Sequence, residues 1–168
     1  MFGPLPKAIV VTFAVTGLVS TSGEPAAHAD PPGFPDLSAF TEAPLSIDYS
    51  RPDKWANGYS FFRTPDGLSC MAGSLVRCSG PLPGLPVAQF GDCAEVLQTY
   101  EEADAGQPFT FARVSGCRQE PDQLLDVGQK LTLAGNFTTT CVVGPDRLTA
   151  CIRAGHGFVL RPSGSWVF

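Results

Sequence analysis

Six cysteines fall as a close pair, a distant pair and a close pair: Cys70 and Cys78, Cys93 and Cys117, Cys141 and Cys151. They follow a stretch laid out like an export signal, so the even count reads as three disulfides rather than metal ligands or a catalytic thiol. Pairing by local reach gives two short clasps and one longer tie. A chain closed at those intervals has to fold around hairpins.

The first 29 residues carry the parts of a secretory signal. Lys7 is the only charge ahead of an apolar run over residues 8–19, and Ala27-His28-Ala29 offers small side chains on both sides of a cut before Asp30. The run is too short for a permanent bilayer span. The expected organisation is a cleavable signal peptide (1–29), a Pro-rich extended segment (30–54) and a single disulfide-stapled β-domain (55–168). No cysteine stands at position 30 to take a lipid, so the product is expected to be secreted, extracellular or at the cell envelope, with no membrane span after cleavage.

Losing Lys7 and Glu24 leaves the net charge at −5. An acidic body without a basic stripe is a poor partner for nucleic acid or for an anionic membrane. The 18 glycines and 16 prolines make up about a fifth of the 168 residues, which points to short strands and many turns.

Residues 30–51 hold Pro31, Pro32, Pro35 and Pro44 without a sustained period, and Phe34, Leu37, Phe40 and Leu45 are expected to dock on the body. Tyr59-Ser60-Phe61-Phe62-Arg63 reads as a strand running into a Thr64-Pro65-Asp66-Gly67 turn. Setting Cys70 against Cys78 puts Met71 opposite Arg77 and leaves a three-residue tip containing Gly73. Pro81, Pro83 and Pro86 make the next stretch irregular. Asp92-Cys93-Ala94-Glu95 has the shape of a capping box, with Val96, Leu97 and Tyr100 on one helical face, so a short helix is expected there. Phe109, Phe111 and Arg113 alternate as a strand.

In the last third, Cys141 opposite Cys151 pairs Val142 with Ala150 and Val143 with Thr149 around Pro145-Asp146. Phe158-Val159-Leu160 and Trp166-Val167-Phe168 form a final pair, with Trp166 and Phe168 on one face. Phe62-x-Thr64 before one clasp and Phe137-x-Thr139 before the other suggest either an internal duplication or convergence on an easily made hairpin. The fold class expected is mainly β: a small disulfide-stapled antiparallel β-sandwich or partly open barrel built from hairpins, with one short helix.

Several of these motifs together resemble small secreted actinobacterial proteins, especially mycobacterial ones. The likeness is carried by Phe62-Arg63-Thr64-Pro65-Asp66-Gly67-Leu68-Ser69-Cys70, by Cys141 to Cys151, and by Gly155-His156-Gly157-Phe158-Val159-Leu160 and Ser165-Trp166-Val167-Phe168. It covers roughly residues 55 to 168 and is poorest over 92–104. It implies export, disulfides and a β-rich body of unknown function, and it brings no catalytic residue with it.

His156, the only histidine after the signal, lies between Gly155 and Gly157. It is the single candidate for a general base. The plainer reading is a turn histidine bonded to backbone, with glycines present for φ freedom, and no Gly-x-Ser-x-Gly elbow accompanies it. One histidine and no spare thiolate leave no metal constellation, and no cofactor motif occurs, so none of either is expected. Glu101, Glu102 and Asp104 read as a solvated acidic turn, and Asn136-Phe137-Thr138 as a chance glycosylation triplet. Trp55, Tyr59, Phe61 and Phe62 form either an aromatic patch for a glycan or protein, or simply core.

Three functions stand open at this point. The first is an exported, non-catalytic, monomeric β-domain that binds a protein or glycan at the envelope or outside the cell. The second is a small extracellular hydrolase using His156. The third is a structural or antigenic surface protein without a dedicated ligand.

Overall fold

Around Cys70 and Cys78 the chain turns back on itself in the anticipated register. Strands β3 (Ser69–Ala72) and β4 (Arg77–Gly80) run antiparallel with Cys70 opposite Cys78 and Met71 opposite Arg77. Strands β9 (Thr139–Gly144) and β10 (Leu148–Arg153) repeat the arrangement with Cys141 opposite Cys151, Val142 opposite Ala150 and Val143 opposite Thr149. In both hairpins the paired Cα atoms are 4.1 Å apart, and Cys93 joins Cys117 as the longer tie. The computed structural model describes residue 3 and residues 33–44, 46–51, 58–98, 108–117 and 122–168. Apart from Gly3, the expected signal segment lies outside the described residues, as do Leu45, Trp55, Tyr100, Glu101, Glu102 and Asp104.

The hairpins extend into two six-stranded sheets. The first contains β2 (Ser60–Arg63), β3, β4, β5 (Ala94–Leu97) and β6 (Thr110–Arg113) in sequence order, with β7 (Gln123–Leu124) parallel to β2 at its edge. The second contains β8 (Gln129–Leu133), β9, β10, β11 (His156–Leu160) and β12 (Trp166–Val167), with β1 (Thr41–Glu42) parallel to β8. The two short parallel pairings make both sheets mixed rather than purely antiparallel.

Each half of the chain is thus a short strand followed by a five-stranded meander, and each short strand is given to the other half's sheet. One row of side chains crosses the first sheet as Phe62, Cys70, Cys78, Val96 and Phe111. Its counterpart crosses the second as Leu131, Cys141, Cys151, Phe158 and Val167. The likeness between the two clasps therefore extends over whole halves of the fold. Both rows feed one core, closed between the sheets by contacts such as the edge-on Phe109 and Phe158 rings, 5.3 Å apart.

The short helix expected from Asp92 onward is not formed. Ala94 and Val96 are buried while Glu95 and Leu97 are half-buried on the other side, which is strand alternation, and β5 pairs with both β4 and β6. A capping-box pattern is a local preference worth about 1 kcal/mol, and two flanking strands outweigh it. The α-helix that does occur among the described residues, α1 (Val87–Phe90), is a single turn capped by Pro86, whose ring holds φ at −64°.

The Pro-rich segment docks as expected. Its Phe34, Leu37 and Phe40 cover the outer face of the second sheet, against Val142, Ala150, Val159, Trp166 and Phe168. Phe34 meets Phe168 edge-on at 5.8 Å, and Lys130 Nζ donates to the Leu37 carbonyl at 3.1 Å. Asp36 caps a 3₁₀ turn (Leu37–Ala39) by accepting from the Ser38 N–H at 2.8 Å, and bonds to Ser38 hold its carboxyl below the usual aspartate value.

Farther along, Tyr49 is buried and donates its hydroxyl to the Leu124 carbonyl at 3.2 Å. Burial raises its phenol pKa above the ordinary 10.0. The folded state thus favours the protonated phenol, so this stabilisation is whole below pH 10 and fades as pH rises through the raised value. Tyr49→Phe should lose about 1 kcal/mol near neutrality through the missing hydrogen bond and show a shallower loss of stability at alkaline pH. Urea midpoints measured at about pH 8 and about pH 11 compare the two proteins, and parallel slopes would assign the alkaline loss to other groups.

Candidate functional site

The two outer faces of the sandwich differ. That of the second sheet is apolar and roofed by the docked segment. The outer face of the first sheet carries two registered rows: Phe61, Met71, Arg77, Leu97 and Thr110, then Arg63, Ser69, Ser79, Glu95 and Ala112. Strand alternation produces this arrangement, since Phe62, Cys70, Cys78 and Val96 take the inward positions between them.

A groove of about 270 Å³ runs over this face, its lining including Arg51, Phe61, Met71, Arg77, Asp122 and the serines 69 and 79. Arg51 lies 4.2 Å over the Phe61 ring and grips Asp122 through two hydrogen bonds, Nε to Oδ1 at 2.8 Å and Nη2 to Oδ2 at 2.6 Å. Such a planar two-point contact fixes both side chains. Asp122 is itself deeply covered, its side chain only 5 % exposed, and Arg63 Nε donates to its backbone carbonyl at 3.1 Å. Across the groove Arg77 pairs with Glu95, and with its side chain half exposed it can exchange that partner for an incoming one. The surface offers held charges of both signs, hydroxyls and an aromatic edge, which suits a polar partner lying along it.

The aromatic patch considered from sequence is divided by strand alternation. Phe62 is fully buried in the core, Phe61 lies under Arg51 in the groove, and the Tyr59 hydroxyl bonds to Ser74 Oγ at 2.7 Å. Trp55 falls outside the described residues. Sequence reasoning missed the groove because Arg51, Arg77 and Asp122 come from three separate segments. The legible signal was the alternation in β2 and β3, which puts Phe61 and Met71 opposite the face of Phe62 and Cys70.

His156 opens β11 directly across from Arg153 on β10. Its Nδ1 is buried without a hydrogen-bond partner, and Gly155 before it takes a positive φ of 82°, the freedom expected of a glycine in that turn. No carboxylate among the described residues holds that nitrogen as an orienting partner would in a hydrolytic triad. Among the described residues there is no cluster of three or more metal-ligating side chains, and no helix is long and apolar enough to cross a membrane. The three disulfides point to an oxidising, extracellular setting. Comparison with protein families, curated proteins and solved structures returned no match.

Proposed function

We propose that this chain is an exported, non-catalytic β-domain that binds a protein or glycan at the cell envelope or outside the cell, through the groove on the outer face of its first sheet. The observation that carries the reading is the contrast between faces among the described residues: one sheet is roofed by the chain's own N-terminal segment, whereas the other carries a groove lined with positioned charges. The resemblance to small secreted actinobacterial proteins and the signal-like leader favour the same setting.

Reversal of one groove charge tests this. The domain from residue 30, immobilised and exposed to envelope extract and to a glycan panel, should retain a defined partner that Arg77→Glu weakens at least about tenfold, the scale of one lost charged contact. Glu42→Gln, on the edge strand of the other sheet, should leave retention unchanged. Equal retention by wild type and Arg77→Glu would remove the groove as the binding surface. A hydrolytic activity that vanished in a folded His156→Ala variant would replace the binding reading with the enzymatic one.

A further inference from the structure

Arg153 is the least expected residue of the interior. It lies two positions from Cys151 on the same face of β10, the face that meets the core, and is only 5 % exposed. An arginine cannot shed its charge by deprotonation, so its N–H groups need acceptors wherever it is buried. Here Nε and Nη1 have none, and across the strand pair the buried His156 Nδ1 also has none. Thr139, opposite Arg153 on its other side, already gives its hydroxyl to the Gly73 carbonyl at 2.9 Å.

One contact does exist. The Phe137 ring lies 5.3 Å from the guanidinium carbon, and Phe137 is 45 % exposed, on the loop between β8 and β9. A ring of this kind satisfies the face of a guanidinium and leaves its in-plane donors unanswered. The cluster therefore joins unanswered donors to an apolar side chain at the surface. A planar monoanion matches it best: the carboxylate is the usual in-plane partner of a guanidinium, and its single negative charge offsets the single positive charge of Arg153.

We infer that Arg153, with His156 beside it, receives the carboxylate of a ligand whose apolar part rests on Phe137. This site is separate from the groove and its test does not depend on it.

Benzoate is a suitable probe, benzamide its uncharged match and inorganic phosphate the tetrahedral comparator, all in chloride-free buffer with the domain from residue 30. Benzoate should shift the His156 imidazole and Arg153 Nε resonances saturably and raise the melting temperature, while benzamide leaves both unmoved. Phe137→Ala, a surface change, should fold normally and bind benzoate about tenfold more weakly. Arg153→Met removes a buried charge without acceptors, so in the absence of anion it should melt at or above the wild-type temperature and not respond to benzoate. The inference is overturned if wild-type resonances ignore benzoate, or if benzamide matches it. Phosphate binding more tightly than benzoate overturns the carboxylate assignment. A melting temperature more than about 5 °C below wild type in Arg153→Met shows the guanidinium satisfied within the free protein, and overturns it too.

Discussion

Replacing Cys141 and Cys151 together by alanine should destabilise the domain by about 4 to 5 kcal/mol, more than the same change at Cys93 and Cys117, although loop entropy alone predicts the reverse. The sequence separations are 10 and 24 residues, so the entropy term is about 2.7 kcal/mol for the short clasp and about 3.5 for the longer tie. Packing reverses the order. Cys141 and Cys151 are completely buried in the central row of the second sheet, and each lost sulfur leaves a void worth roughly 1 kcal/mol. Cys93 is half-buried and Cys117 exposed, so their removal empties no core space. Against a typical total of about 5 to 15 kcal/mol, loss of the buried clasp brings the domain close to unfolding. Urea midpoints of the two double variants decide the matter, and a larger loss at Cys93 and Cys117 would show that chain entropy governs. The same exposure difference means that a mild thiol reductant should open Cys93–Cys117 first, visible by mass mapping of alkylated cysteines.

Both clasps were readable because everything that defines them is local: two cysteines within reach, turn residues between them, and an alternation that fixes which neighbours oppose one another. The exchanged strands β1 and β7 were not readable. Two residues carry no period, and Thr41–Glu42 and Gln123–Leu124 become strands only because β8 and β2 present free edges to them. The helix expected at Asp92 failed for the same reason in reverse, since a clear local pattern met a stronger demand from β4 and β6. At the candidate sites, alternation was the overlooked signal. It puts Arg153 on the inward face with Cys151, and an arginine in that register is unusual enough to be a signal legible in the sequence alone.

Gly157→Ala is expected to cost at least about 3 kcal/mol, well beyond Gly155→Ala, although the two glycines flank the same histidine and look interchangeable in the sequence. Gly155 has a φ of +82°, and Ala154 before it a φ of +52°, as a two-residue turn between Arg153 and His156 demands. A Cβ at Gly155 meets nothing within 4 Å, so alanine there suffers backbone strain alone, about 1 to 2 kcal/mol. Gly157 has no positive φ and is required for space. A Cβ there would strike the Cys151 carbonyl oxygen and lie 2.7 Å from Phe168 Cζ. Phe168 is tied to Gly157 by two backbone hydrogen bonds of 3.0 Å, and Cys151 is bonded to Cys141 in the adjacent strand. Neither side can retreat without pulling β11 from β10 or β12 from β11, so the strain reaches both ladders. Thermal unfolding of the two variants separates the causes, and equal losses would mean that φ freedom explains both glycines. Relief of the Gly157→Ala defect by Phe168→Ala would place the clash on the ring, whereas persistence would place it on the stapled backbone of Cys151.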